Sequence, residues 1–327
     1  MNRHFLRAAA PVWLCALFSP SAIAQPVANY PAKPVRMLVH FPPGGPTDVV
    51  ARMVAQRLGE TWGQQFVIDN RPGAGGIVGV EMVARAAADG YTLLFGTGGS
   101  MAIAPVTGIK LPYDVNRDFA PVVRVVINPQ LLVFHPGFAP STIKELIAYA
   151  KARPGVINYA SVGPGSPNHL GIEMLKAMAG IDLTHIPYKG SAPALTDVLA
   201  GQVSMLFNSM PTVIQHVKGG RLKGVAVGTL KRSPAMPDTP TVAESGVPGF
   251  DYVTWYGVFA PAATPKPIVM RLNAEIVKML TDRDIAQRLA AQGAEPSPST
   301  PEQLASYMQE EQERWRKVIR SAKLKLD

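Results

Sequence analysis

The stretch His40-Phe41-Pro42-Pro43-Gly44-Gly45-Pro46-Thr47-Asp48-Val49-Val50-Ala51-Arg52 decides how this chain is read. A short apolar run, Val35 to Val39, precedes it, and Val49, Val50, Met53, Val54 and Leu58 follow at helical spacing. The succession is strand, glycine loop, helix. Gly44 and Gly45 let the backbone turn tightly and bare its N–H groups, and Thr47 or Asp48 is placed to cap the helix. The first N–H groups of a helix lack intrahelical partners and carry the positive end of its dipole. A carboxylate or phosphate can therefore settle there without a buried Lys or Arg. An ordinary strand-to-helix turn has the same local pattern, so the rest of the chain has to choose between the two.

Upstream, Arg3, His4 and Arg7 precede an apolar stretch from Ala8 to Ser19, and Ala22-Ile23-Ala24 follows. This pattern predicts a secretory signal peptide at 1–24, cleaved after Ala24. Its apolar core is shorter than the ~20 residues that a membrane-spanning helix needs. The only cysteine, Cys15, lies in that segment, and Val12-Trp13-Leu14 before it does not form a lipoprotein site. The exported form would carry no cysteine, which excludes a thiol nucleophile, a disulfide framework and cysteine-ligated zinc.

From Gln25 onward the chain is long enough for two domains of common size. The formal charge of +9 includes Arg3 and Arg7. Lys and Arg are scattered rather than clustered and no RNA- or DNA-binding motif is present, so no nucleic-acid partner is expected. Basic charge here points at most to acidic small solutes.

Short β-branched runs alternate with helical patterns, which predicts α/β layers with largely parallel sheets. Strands are expected at Val35–Val39, Gln65–Asp69 and Thr92–Phe95. The second ends in Asn70-Arg71-Pro72-Gly73-Ala74-Gly75-Gly76 and the third in Gly96-Thr97-Gly98-Gly99-Ser100. Ligands gather beyond the carboxyl ends of strands in open parallel sheets, so these loops would line one crevice. Gly73, Gly75 and Gly79 fit a G-x-G-x-x-x-G variant of a dinucleotide fingerprint, but Pro72 interrupts the turn and Asp89 precedes a turn rather than ending a strand. No cofactor is expected. No P-loop, G-x-S-x-G, H-E-x-x-H or EF-hand pattern occurs, so neither a metal nor a catalytic group is assigned.

From about Ala120 the character changes. Pro121 to Ile127 and Leu131 to Phe134 read as β runs interrupted at Asn128-Pro129, a crossover into a second lobe. Ser141 to Glu145 reads as a capping-box helix start, shifted by one from the ideal. Asn158 to Ser161 is a strand ending in Val162-Gly163-Pro164-Gly165-Ser166-Pro167-Asn168, and a helix begins near His169. Leu183–Gly190 reads as strand then loop, and further strands are read at Val203–Asn208 and Leu222–Val227, the last as the return crossing, with helices at Ala192–Ala200 and Pro211–Lys218. Beyond a proline-rich passage come the aromatic run Tyr252 to Phe259 and two helices, Pro267–Leu280 and Pro301–Ala322. The last carries Leu304, Met308, Trp315, Val318 and Ala322 on one stripe, which predicts packing on the first lobe.

FPPGGPTDVVAR, NRPGAGG, ADGYTLLFGT, HIPYKGSAPALTDVLAGQV, MPDTPTVAESGVPGF and SAKLKLD together resemble the Bug-type solute-binding proteins of tripartite tricarboxylate transporters. The resemblance runs in the same order through nearly the whole chain after the signal segment. It implies a type II periplasmic-binding-protein fold, with two α/β lobes joined by two crossover strands. Residues 25–122 plus 229–327 would form a discontinuous first lobe, and 123–228 the second. It also implies a periplasmic receptor, not an enzyme, that binds a small carboxylate, works as a monomer and delivers to membrane permease subunits. Carried across, the first pole of the site falls on Phe41, Pro42, Gly44, Gly45, Thr47 and Asp48, then Ala74, Gly75 and Gly76, then Thr97 and Gly98. The second falls on Ser161, Gly163, Ser166, Asn168 and His169, with Tyr188 and Asn208. Pro46 stands where many relatives have glycine and removes one donor. No Arg or Lys in these loops is placed to grip a carboxylate in a bidentate fork, which fits binding by amide dipoles and water.

Each residue has a plainer reading too. Asp48 is a natural helix cap, His169 a capping or surface group, and Trp255 and Tyr256 core or hinge residues. Two other functions stay open at this point. A periplasmic sensor would use the same cleft, and an exported serine hydrolase would need Ser161 or Ser166, a histidine and an acid within hydrogen-bond reach.

Overall fold

The computed structural model describes residues 29–291 and 293–321. The signal peptide and cleavage site expected at 1–24, and the chain after Ser321, lie outside the described residues. Strand and helix alternate through β1 (Val35–Val39), α1 (Pro46–Trp62), β2 (Phe66–Asn70), α2 (Ile77–Ala84) and β3 (Thr92–Thr97). A long strand, β4 (Phe119–Phe134), leads to α3 (Ile143–Ala152), β5 (Asn158–Ser161), α4 (Pro167–Ala179), β6 (Thr184–Pro187) and α5 (Ser191–Leu199). Next come β7 (Met205–Ser209), α6 (Met210–Lys218), β8 (Lys223–Val227), β9 (Val253–Pro261), α7 (Lys266–Leu280), α8 (Arg283–Ala291), β10 (Glu295–Pro296) and α9 (Pro301–Ser321).

The strands pair in the order β2-β1-β3-β9-β4-β7-β5-β6, with β8 and β10 also on β4. β1 is parallel to β2 and β3, and β5 is parallel to β6 and β7. β9 runs antiparallel between β3 and β4. β1 is a nearly continuous apolar run because helices cover both its faces, as in a parallel sheet.

β4 corrects the expectation of two separate runs. Its 16 residues form one strand straight through Asn128-Pro129. Phe119 to Pro129 pair with β9, and Gln130 to Phe134 pair with β7. Pro129 is the last residue paired with β9, so its missing N–H falls where the partner changes and costs the ladder little. One strand thus serves two α/β halves. The return path is pinned beside it, with Gly228 N–H on the Gln130 carbonyl (2.8 Å) and Tyr252 N–H on the Gly228 carbonyl (2.8 Å).

Each half has its own core. Leu38, Val80, Leu94, Trp255 and Phe259 cluster in the first. In the second, Leu132 and Phe134 face one cluster with Tyr159, Leu170 and Phe207, and Leu131 and Val133 face another with Ala160, Leu195 and Leu206. That split is the period-2 alternation of a strand covered on both sides.

α9 departs from its expected place. Leu304 and Met308 do pack in the first half's core, but Trp315 and Val318 belong to the second half's. A helix of 21 residues rises about 30 Å, enough to lie across both. α8 was not anticipated, because it offers only Ile285 and Leu289 as buried anchors. Asp282 marks its start, accepting the Asp284 N–H at 2.9 Å.

Two helix starts differ from their sequence reading. α1 begins at Pro46 with Gly45 as N-cap, and Asp48 reaches back to accept the Gly44 N–H at 2.9 Å. In α3 the cap is Thr142, which accepts the Glu145 N–H at 3.2 Å while Glu145 accepts that of Ser141 at 2.7 Å. The capping box is therefore headed by Thr142 rather than Ser141, with Glu145 reaching one residue further back than the cap's own N–H.

Candidate ligand-binding site

The carboxyl ends of the strands open on a cleft of about 810 Å³. Phe41, Pro46 and Thr47 from the β1–α1 turn, Gly75, and Thr97 to Ser100 after β3 form one wall. Pro164, Gly165, Pro167 and Asn168 at the start of α4, and Asn208, Ser209, Pro211 and Thr212 at the start of α6, form the other. Asn128 and Gln130 of β4 and Thr254, Trp255 and Tyr256 of β9 lie between them, where the strands pass from one half to the other. No Asp, Glu, Lys, Arg or His is among the described residues lining it.

What the walls offer follows from the chain's local chemistry. α1, α4 and α6 all begin here, each with a proline in its first two positions. Proline fixes φ and removes an N–H that would have no intrahelical partner in any case. Neither α1 nor α6 has a side-chain cap, so their first-turn amides remain for a ligand. α4 is capped by Ser166, whose hydroxyl accepts the His169 N–H.

The polar side chains are held by one another. Asn168 donates Nδ2 to the Phe207 carbonyl at 2.5 Å and to Asn208 Oδ1 at 3.3 Å, and Asn208 donates to Ser191 Oγ at 2.9 Å. Gln130 Nε2 donates to the Asn128 carbonyl at 3.1 Å and reaches Thr254 Oγ1 at 3.4 Å. Thr97 and Ser100 exchange backbone-to-hydroxyl bonds at 3.3 Å. Thr47 hydrogen-bonds the phenol of Tyr256, which burial keeps protonated above its usual range. Behind the first wall, His40 is buried and lies 3.5 Å from Thr97 Oγ1. Burial lowers its pKa to about 4, against a smaller opposing contribution from the Phe95 backbone, so it is neutral. Gly76 has a φ of +100° and lies against that ring, where a Cβ would come within 2.4 Å of Cδ2.

The structure brings Phe41, Thr47, Gly75, Thr97, Gly98, Asn168 and Asn208 to the cleft. The remaining residues selected from sequence are found beside or behind it. Asp48 accepts from Gly44, Arg52 and Asn70, with bonds of 2.8 to 2.9 Å, and so holds the loop that contains Pro42, Gly44 and Gly45. Ala74 and Gly76 flank Gly75, and Ala74 itself has a φ of +46°. Ser166 caps α4, and Gly163 accepts from Ser166 Oγ at 2.6 Å. Tyr188 donates its hydroxyl to Asp197 at 2.7 Å.

His169 accepts the Gly165 N–H through Nδ1 at 3.0 Å and stacks on His185 at 4.2 Å between ring centroids. Burial, then the neighbouring His185, lowers its pKa to about 4. Ser161 Oγ lies 2.6 Å from His185 Nε2, the pairing a hydrolase would use, but Ser161 is fully buried and does not line the cleft. Residues the sequence reading did not select include Ser100, Asn128, Gln130, Ser209, Thr212 and Thr254. Asn128-Pro129 stood out as a break in a β run, and that interruption was the available signal for Asn128 and the neighbouring Gln130. Among the described residues no group of His, Cys, Asp and Glu could hold a metal ion, and no helix is long and apolar enough to cross a membrane.

Two α/β halves that share crossing strands and flank an uncharged cleft have the arrangement of a solute-binding receptor. The chain belongs to the tripartite tricarboxylate transporter family receptors, whose profile matches residues 50–324. It is 40% identical over 309 residues to Protein BugT of Bordetella pertussis, covering 94% of this chain and 95% of that one. Rhodopseudomonas palustris Rpa4515, solved with adipate, is 37% identical with a TM-score of 0.75, covering 90% of this chain and 99% of that one. MatC (Rpa3494) of the same organism, solved with bound malate, is 35% identical with a TM-score of 0.71, covering 89% of this chain and all (100%) of that one. The fold is accordingly the type II periplasmic-binding-protein arrangement, and the chain is a receptor rather than an enzyme.

Proposed function

We propose that this protein captures a small organic acid, a dicarboxylate or aromatic carboxylate, in the periplasm and passes it to the membrane permease of a tripartite transporter. The observation that carries the reading is the cleft's chemistry: helix N-termini on both walls, amides and hydroxyls between them, and no basic side chain. Such a site suits an anion held by backbone dipoles and water. The printed ligands of two related structures, adipate and malate, support the carboxylate class. The sequence pattern at 1–24 supports export, and nothing in the reading calls for more than a monomer.

We start from a first lobe of residues 25–122 plus 229–327 and a second of 123–228, and shift the bending points to Asn128–Gln130 and to the entry of β9 after Tyr252, because Phe119–Pro129 pair with β9 and Val242, Phe250 and Tyr252 pack in the second half's core. Ligand draws the lobes together because only the closed form contacts it from both sides. The first pole comprises Phe41, Thr47, Gly75, Thr97 and Gly98, supported by Pro42, Gly44, Gly45, Asp48, Ala74 and Gly76. The second comprises Asn168 and Asn208, with Ser161, Gly163, Ser166, His169 and Tyr188 behind.

Thermal melting against mono-, di- and tricarboxylates tests the ligand class. A ligand present at 100 times its dissociation constant adds about 2.7 kcal/mol to the native state. Stabilisation by amines or sugars but by no carboxylate would overturn the assignment.

A further inference from the structure

Glu311, 3% exposed, lies midway along α9, and its carboxylate accepts two indole N–H groups. Trp255 Nε1 donates at 2.5 Å and Trp315 Nε1 at 3.3 Å. Trp255 lines the cleft, and its indole lies so close to Gly98 that a Cβ there would fall 2.5 Å from Nε1. The next residue of α9, Gln312, donates to the Met101 carbonyl at 3.2 Å, steadying the segment that follows Gly98. Trp315 sits in the other half's core, edge-on to Tyr252 with ring centroids 5.8 Å apart. The Tyr252 hydroxyl in turn donates to the Pro167 carbonyl at 2.5 Å, at the first residue of α4. A continuous path of ring contacts and hydrogen bonds therefore runs from one cleft wall to the other, and Glu311 is its only acid.

A buried carboxylate carries a desolvation penalty, and an apolar residue of similar volume often packs at least as well. Here the acid accepts both indoles at once, one from each half, which a leucine or methionine cannot do. We infer that Glu311 is a positioning residue that couples ligand contact at the Gly98–Trp255 wall to the orientation of the half that carries α4. The inference rests on the two-lobed receptor reading above. Burial also raises the Glu311 pKa to about 7, with Asp251 adding to the rise and Trp255, Arg314 and Trp315 opposing it. Tyr252 and Tyr307 are the other titratable groups whose ionisation it disfavours.

The test uses nitroxide labels on Val67→Cys and Val156→Cys, exposed positions in opposite halves, in a Cys15→Ser background. Distances are measured by pulsed electron spin resonance without ligand and with adipate. Glu311→Leu should shift or broaden the ligand-free distances and weaken the adipate response at least tenfold, while Glu311→Gln, which keeps an acceptor, restores most of both. Val318→Ala, which trims the same helix's core contact, should change stability without moving the distances. In wild type the Trp255 and Trp315 indole proton resonances should titrate together near pH 7, and in Glu311→Gln they should stay flat. Wild-type distances and an unshifted Trp255 indole in Glu311→Leu would overturn the inference. If Glu311→Leu does not fold, Glu311→Gln decides through the two indole titrations. Absence of any adipate response in wild type bears on the ligand reading alone, because the ligand-free distances and indole titrations still decide the role of Glu311.

Discussion

Replacing Asp48 by alanine should cost about 2–3 kcal/mol of folding stability, a magnitude that follows from the donors its carboxylate serves. The side chain is 2% exposed and accepts the Gly44 N–H and Asn70 Nδ2 at 2.9 Å each, and Arg52 Nε at 2.8 Å. Leaving buried donors without an acceptor costs about 1–3 kcal/mol apiece, but Gly44 and Asn70 are reached by water, which keeps each near the lower end. An acid in the first turn contributes about 0.3–1 kcal/mol with the helix dipole, and the pair with half-exposed Arg52 adds less than about 1 kcal/mol. Asp48→Asn keeps an acceptor and should lose roughly half as much. Burial raises the Asp48 pKa, but hydrogen bonds from Arg52, Gly44 and Asn70 outweigh that and hold it below the usual value. Its contribution is therefore present above about pH 4 and fades as pH falls through the lower folded value. Equilibrium urea unfolding at pH 7 and pH 3 measures both effects. A loss under about 0.5 kcal/mol at pH 7, or a deficit unchanged at pH 3, would refute the reasoning.

Gly98→Ala puts a methyl group against a fully buried indole, so it should cost about 1–3 kcal/mol in denaturant unfolding and weaken carboxylate binding in calorimetry. His40 and His169, both lowered to about 4, take up protons more readily when unfolded. Stability should thus fall as pH drops from about 6.5 toward 4, by up to about 1.4 kcal/mol per pH unit for each, and His169→Gln should flatten that slope. Glu311, raised to about 7, works the other way: its protonated form favours the fold, so stability tied to it is present below about pH 4.5 and lost as pH rises through 7. Glu311→Gln should therefore steepen the acid-side fall measured by urea unfolding.

Much of the fold was legible because its signals are local. Apolar runs bounded by glycine gave β1, β5 and the start of α4, and the shifted S-x-x-x-E box at Ser141–Glu145 gave the start of α3 to within a residue. The cleft's glycine loops were legible for the same reason, since a strand end followed by a bare helix start is written in consecutive residues. What escaped depends on distant partners. Nothing near Asn128-Pro129 reveals that β4 continues, because continuity comes from β9 and β7 taking over from each other there. The stripe on α9 shows that one face is buried, not that two cores share it. His169 and Tyr188 were selected through the family resemblance, and their polar tips meet Gly165 and Asp197, partners that only the folded chain brings into place.

The shared strand also decides how this scaffold can be rebuilt. A cut between the halves would sever β4 and expose raw strand edges that invite aggregation. A fluorescent reporter belongs instead in the exposed Gly219-Gly220 turn between α6 and β8, which touches neither crossing and leaves the bending points intact.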